Sequence, residues 1–212
     1  MGYTTYFNGG FYFNKEVDEK LKEYIDKYSY TRHMSYDTSL IKEKIPFWRA
    51  FTLNGDLGKN GALIADKQRL LDDFHGEFVK DYNDNGVCPG LWSHWVIEDN
   101  QLVWDEGEKF YNYIEWLEFY ITHFFEPYDL VLNGVAYFYG EERGDCGYII
   151  IDENHISSYY AEDIEFEELL ENFKHNPELY NTIKTDNVRP LSFDSHYEPE
   201  YGDYEDYEEE LW

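Results

Sequence analysis

Aromatic residues alternate with small or polar ones through residues 2–13, with Gly9-Gly10 interrupting. This period of two predicts one strand, or two short ones around the glycine pair. The period changes after Asn14, where Val17, Leu21, Tyr24, Ile25 and Tyr28 recur at helical spacing. A helix is predicted to open at Asn14 and end near Arg32-His33, with Glu16, Asp18 and Glu19 in a first turn whose dipole favours anions. Residues 34–87 are less regular. Ile45-Pro46-Phe47 stops any helix there, and 47–53 reads as a strand. The segment 54–61 reads as a glycine-rich loop. It fails as a phosphate loop because Lys59 lacks a preceding glycine and a following Ser or Thr. Leu70, Leu71, Phe74 and Phe78 predict a short helix over about 66–80, and Asn83-Asp84-Asn85-Gly86 a turn.

Alternation returns after Gly90. Residues 91–98 and 101–104 read as the arms of a hairpin around Asp99-Asn100. Asp105 with Glu108 resembles a capping box, predicting a helix that runs to about Glu126 and stops before Pro127. Phe110, Tyr113, Ile114, Leu117, Tyr120, Ile121 and Phe124 form its apolar stripe, while Tyr111, Trp116, Phe119 and Phe125 fall largely outside it. A helix apolar over so much of its circumference is buried on more than one side, by the sheet and by the 34–87 region or by a partner. Strands are predicted at 129–133 leading into 135–139, at 147–152 and at 155–160, with Asn133-Gly134 as a turn or bulge and 152–154 as a hairpin turn. Asp163 is expected to cap a helix over 164–174, and Pro177 to begin another.

This order predicts an α+β protein, an antiparallel sheet with helices packed on one face. A ferredoxin-like β-α-β-β-α-β core with added strands fits it. The organisation expected is a core over 1–162 with an irregular insert at about 34–87, a helical acidic extension over 163–185, and an acidic-aromatic tail over 186–212.

Charge narrows the function classes. Forty-five acidic residues face seventeen basic ones, a net −28 on 212 residues. Such a chain repels nucleic acid and anionic lipid and attracts basic protein surfaces. So much charge opposes compaction, but 22 Tyr, 15 Phe and 6 Trp supply enough burial for a core. Cys88 and Cys146, without CxxC spacing, read as free buried thiols of a reducing compartment, with a single disulfide as the alternative. The N-terminus lacks the basic and apolar regions of a signal peptide, and no stretch approaches eighteen apolar residues. A cytoplasmic address is expected, the host cytoplasm if the chain is phage-encoded.

Three segments carry a resemblance: GLWSHW at 90–95, GEKFYNYIEWLEFYITHFFEP at 107–127, and LNGVAYFYGEERGDCGYIIIDEN at 132–154, with GYTTYFNGGF at 2–11 beside them. They are similar to a family of uncharacterised acidic proteins encoded by bacteriophages and bacteria, over roughly half of the chain. The resemblance implies no activity, cofactor or catalytic residue. It implies that residues past about 162 are an addition, and it favours a host-interaction role by association.

The candidate contact residues are acidic. Glu162, Glu165, Glu168 and Glu171 recur every three residues and, with Asp163 and Glu167, are expected to form a negative ridge on one helix face. Carboxylates about 5–6 Å apart on such a face are spaced on the scale of phosphates along a strand. From Asp194 to Trp212 nine acids and no Lys or Arg accompany Tyr197, Tyr201, Tyr204, Tyr207 and Trp212. Tyr201, Tyr204 and Tyr207, three apart with acids between, suit a basic groove. The plainer readings are a solvated acidic face and a solubilising tail.

Other constellations are weaker. Glu141, Glu142, Asp145, Asp152 and Glu153 cluster near hairpins but lack EF-hand spacing. The histidines, His33, His75, His94, His123, His155, His175 and His196, form no HxH or HExxH pattern. His94 and His123 are the pair considered for an approach to each other or to a cysteine. Ser93, Ser157 and Ser158 lack a nucleophile elbow. Trp92, Trp95, Trp104 and Trp116 read as a shared aromatic core, or as a cleft for a base or sugar.

The leading expectation is a non-enzymatic inhibitor of a basic, nucleic-acid-binding host protein, acting by charge mimicry with no cofactor, no metal, no direct nucleic-acid contact and no membrane. The second is a small enzyme or ligand-binding domain with its site near the Trp92–Trp95 hairpin and the Glu141–Asp145 loop. The third is an assembly protein that pairs with copies of itself.

Overall fold

Alternate residues of the first strand point to opposite sides of one sheet. In the computed structural model, which describes residues 2–185 apart from His75 and Arg143, β1 (Tyr6–Phe13) runs without a break through Gly9-Gly10. Phe7, Phe11 and Phe13 face a large aromatic core, whereas Tyr6, Asn8 and Tyr12 are exposed. The glycines let the backbones come close: β1 pairs with β6 (Leu132–Tyr139) across Gly10↔Val135 and Phe11↔Gly134. A Cβ on Gly134, whose φ is +153°, would lie 2.4 Å from the Gly10 carbonyl oxygen. Asn133-Gly134 is therefore neither a turn nor a break but part of one continuous strand.

The sheet has six antiparallel strands in the order β4-β5-β1-β6-β7-β8, where β4 is Trp95–Glu98, β5 Gln101–Trp104, β7 Cys146–Asp152 and β8 His155–Tyr160. Both anticipated hairpins form, with Asp99, Asn100, Glu153 and Asn154 at positive φ, as two-residue turns of twisted strands require. The neighbours β4-β5-β1-β6 can be read as a β-α-β-β-α-β arrangement, which does not by itself confirm a ferredoxin-like core.

Helix α1 (Glu19–Ser29) starts later and stops earlier than the periodicity suggests. Asp18 caps it by accepting from the Lys20 amide. Asn14 instead joins the sheet, its amide N–H donating to the Val131 carbonyl and its side chain accepting from the Val131 amide. The Asp105–Glu108 capping box does not form. Asp105 accepts from the Gly107 amide, the chain winds through left-handed Glu106, Lys109 and Asn112, and α4 spans only Tyr113–Tyr120. A π-turn at Ile121–Phe125 and a 3-10 turn at Glu126–Tyr128, which contains Pro127, continue it. Trp116, Leu117, Tyr120 and Phe125 are fully buried, in one cluster with Tyr24, Ile25 and Tyr28 of α1, Ala62, Ala65 and the sheet. Burial of α4 on more than one side is thus satisfied within the chain.

Residues 34–87 hold a small core of their own, around Met34, Tyr36, Ile41, Ile45, Phe51, Ile64 and Phe78. It contains α2 (Thr38–Lys44), α3 (Lys67–Phe74) and a two-stranded ribbon of β2 (Ser35–Tyr36) with β3 (Val79–Asp81). The strand anticipated at 47–53 is a 3-10 turn, Trp48–Phe51. Asp37, missed as a start signal, caps α2 through the Ser39 and Leu40 amides, and these bonds hold its carboxyl below the usual range.

Helices cover both faces of the sheet rather than one. On β6 and β7, Ala136, Phe138, Ile149 and Ile151 face α1 and α4, while Val135, Tyr137, Cys146, Tyr148 and Ile150 face the other way. On that second side lie Leu169 and Phe173 of the α5 region (α5, Phe166–Asn172) and Leu179 and Ile183 of α6 (Pro177–Thr185). Asp152 ties the connection between these helices to the sheet, accepting from His175 Nε2 and Asn176 Nδ2, each at 2.7 Å. The anticipated extension is a packed layer. Both cysteines are buried, and no disulfide joins them.

Candidate functional site

Packing of α5 through Leu169 and Phe173 fixes its outer side toward solvent. Glu162, Asp163, Glu165, Glu167, Glu168 and Glu171 are all exposed. They do not form one helical ridge. Glu162 and Asp163 lie in the turn before the helix, and Glu165, with extended backbone (φ −71°, ψ 142°), is its N-cap in place of Asp163. Only Glu168 and Glu171 keep the three-residue helical spacing. Glu171 pairs with Lys174. Glu162, Asp163, Glu165, Glu167 and Glu168 make no ion pair among the described residues. Tyr201, Tyr204 and Tyr207 lie outside those residues.

The sheet register brings other acids to the same end. Tyr6 opposes Tyr139, Tyr139 opposes Cys146, and Gly147 opposes Tyr160, so the 140–145 loop and the turn after β8 are neighbours. Within the loop, Asp145 accepts a hydrogen bond from the Tyr3 hydroxyl, the Glu142 amide donates to that same oxygen (3.1 Å), and Glu141 accepts from the Thr4 amide (2.9 Å). Asp152 is committed to the connection between α5 and α6. These carboxylates hold chain segments together, and among the described residues no group of three or more His, Cys, Asp or Glu side chains is placed to hold a metal ion.

The tryptophans resolve toward the core reading. Trp95 and Trp116 are fully buried, and Trp104 packs beside them. Trp92 is exposed. Ser93 is buried and its Oγ donates to the Tyr120 hydroxyl at 2.8 Å. His33 is buried between Tyr28 and Trp116. His94 does not meet a cysteine. Its Nδ1 lies 3.0 Å from Asp105 Oδ1, with Phe110 edge-on to the ring. A proton on Nδ1 directed at the Asp105 carboxyl leaves Nε2 as the acceptor, the arrangement a general base uses. Strict spacing rules missed this pair, because the hairpin brings 94 and 105 together and its only signal is the strand alternation.

A cavity of about 230 Å3 opens elsewhere, beside the π-turn, lined by Tyr24, Asn54, Asp56, Leu63, His123 and Phe124 among others. Partial burial lowers the His123 pKa, against the opposing pull of Asp56. The periodicity of 110–126 predicts regular helix and gives no sign of this turn.

Comparison of the chain with protein-family models, with curated proteins and with solved structures finds no match.

Proposed function

We propose that the chain is a non-enzymatic protein, of the kind phages carry against host defences, that binds a basic nucleic-acid-binding protein and blocks it by offering carboxylates where the target expects phosphates. A defence nuclease, a CRISPR effector or a transcription factor has the required surface. One observation carries the reading: Glu162, Asp163, Glu165, Glu167 and Glu168 are exposed and without a cation partner among the described residues, on a segment anchored to the sheet by Leu169, Phe173 and the Asp152 bonds. A rigid array loses little conformational freedom on binding, and displacing counterions from the target's groove supplies the driving force. Affinity capture from host lysate at low salt, followed by a high-salt wash, tests it. Basic nucleic-acid binders should be retained and then released, and the Glu165→Gln/Glu168→Gln/Glu171→Gln chain should retain less of them. Equal retention in both tests would remove the proposal.

The second reading, a small enzyme with a site at the Trp92–Trp95 hairpin, draws on the His94–Asp105 pair. A reaction catalysed by the wild-type chain and abolished by His94→Gln, at an unchanged unfolding midpoint, would favour it.

A further inference from the structure

Among the described residues, helices cover only one half of the second face of the sheet. Helices α5 and α6 pack on Val135, Tyr137, Tyr148 and Ile150, which leaves the same face of β1, of β5 and of the Glu98 end of β4 without a helix among the described residues, while Val96 of β4, on that face opposite Val103, is buried. There Tyr6, Asn8 and Tyr12 of β1 are exposed, Gln101 and Val103 of β5 are half-buried, and Glu98 of β4 is exposed. Tyr6 stacks on Tyr139 with ring centroids 5.1 Å apart and planes at 16°, and Tyr139 in turn lies 6.3 Å from Tyr137. The flat stack is therefore braced by Tyr137 beside Tyr139 and by Trp104, perpendicular to Tyr6 at 5.9 Å, with Tyr6 and Tyr139 still exposed. Each end of this strip has a carboxylate: Glu141, bonded to the Thr4 amide, in the loop that follows Tyr139, and Glu98, opposite Gln101 and so two strands, about 10 Å, across the sheet from Tyr12. Strands β1, β4, β5 and β6 contain no Lys or Arg.

We infer that this strip is a seat for arginine side chains of the basic partner, an inference that rests on the function proposed above. Guanidinium is planar and weakly hydrated, so it stacks on a tyrosine face while its N–H groups reach a carboxylate beside the ring. Lysine gains the charge interaction but little of the stacking. Bases would also stack on tyrosines, but a nucleic-acid strand needs cations along its path, and these strands offer none. A second copy would bring another −28 to the contact. Tyr6 and Tyr12 are six residues apart on one strand, about 20 Å. An extended partner segment lying along β1 would then engage the two ends with arginines about six residues apart.

The test compares nona-arginine and nona-lysine peptides binding to the full chain at low salt, by calorimetry. The wild type should prefer the arginine peptide by about 2- to 5-fold for each ring engaged. The Tyr6→Leu/Tyr139→Leu chain should lose much of that preference with its nona-lysine affinity unchanged. Tyr12→Ser, at a position that is 51% exposed, serves as a second variant that leaves the stack intact and should lose a smaller part. An unchanged preference in both variants would overturn the arginine seat while leaving the acidic-surface proposal standing. No binding of either peptide would overturn both. Binding of a thymidine 12-mer that Tyr12→Ser abolishes would replace the inference with a nucleic-acid surface.

Discussion

Replacing Leu169 by alanine distinguishes a packed layer from an appendage. Leu169 is fully buried against Val135, Tyr137, Cys146, Tyr148 and Ile150, so the truncation opens a cavity between α5 and the sheet. A buried Leu→Ala change costs about 2–5 kcal/mol. With a urea dependence of about 1–3 kcal/mol per molar, the unfolding midpoint should fall by about 0.7 M or more. The assay follows unfolding by tryptophan fluorescence and by far-ultraviolet circular dichroism together. Trp95, Trp104 and Trp116 belong to the opposite face of the sheet, and β6 and β7 are shared by both layers. If the layers form one cooperative unit, both signals move together to the lower midpoint. Loss of helix signal at low urea with an unmoved fluorescence transition would refute the reasoning and make α5 and α6 a separable arm. That outcome would also weaken the functional proposal, since the carboxylates of 162–168 would lose their rigid support.

Three further outcomes follow from particular contacts. Gly134→Ala should cost about 3 kcal/mol or more, because its Cβ would press on the Gly10 carbonyl and Phe11 Cα across the central strand pair, and thermal unfolding measures it. Asp152→Ala removes two hydrogen bonds at the connection between α5 and α6 and should cost about 1–3 kcal/mol, with faster amide exchange confined first to 177–185. Burial lowers the His123 pKa in the folded state, so the unfolded chain binds the proton more readily. The corresponding stability is fully present above the unfolded pKa of about 6.5 and declines as pH falls through it toward the folded value. His123→Gln should remove that component from urea midpoints compared at about pH 7.5 and about pH 5.5.

The residues that announce themselves in sequence are those whose local pattern and final environment agree. Asp99-Asn100 and Glu153-Asn154 mark hairpins because two-residue turns demand left-handed backbone that Asn and Asp tolerate. The tyrosines and phenylalanines of 6–13 alternate because one side is core. Helix starts were misread where two capping residues competed: Asp18 wins over Asn14 because Asn14 is drawn into bonds with Val131, more than a hundred residues away. Asp105 looks like a cap from its spacing to Glu108, but it is occupied by His94 and the Gly107 amide, which the hairpin brings to it. Residues 34–87 resist periodicity because their core is assembled from short pieces, none long enough to repeat its pattern. The acidic turn at 162–165 is legible as charge, but its irregular backbone is not, since it follows from how Leu169 and Phe173 seat on the sheet. The open tyrosine strip was least visible of all. Tyr6, Tyr12 and Tyr139 read as ordinary strand aromatics until the position of α5 and α6 shows which half of the face is without a helix among the described residues.

The central claim is that exposed carboxylates on a rigid scaffold engage a cationic partner. Its most direct measurement is the dissociation constant of the purified captured partner for the wild-type chain and for the Glu165→Gln/Glu168→Gln/Glu171→Gln chain, between about 50 and about 200 mM salt. The account predicts an affinity that falls about tenfold or more over that range, and a shallower salt dependence for the neutralised chain. An affinity indifferent to salt, equal in both chains, would contradict it.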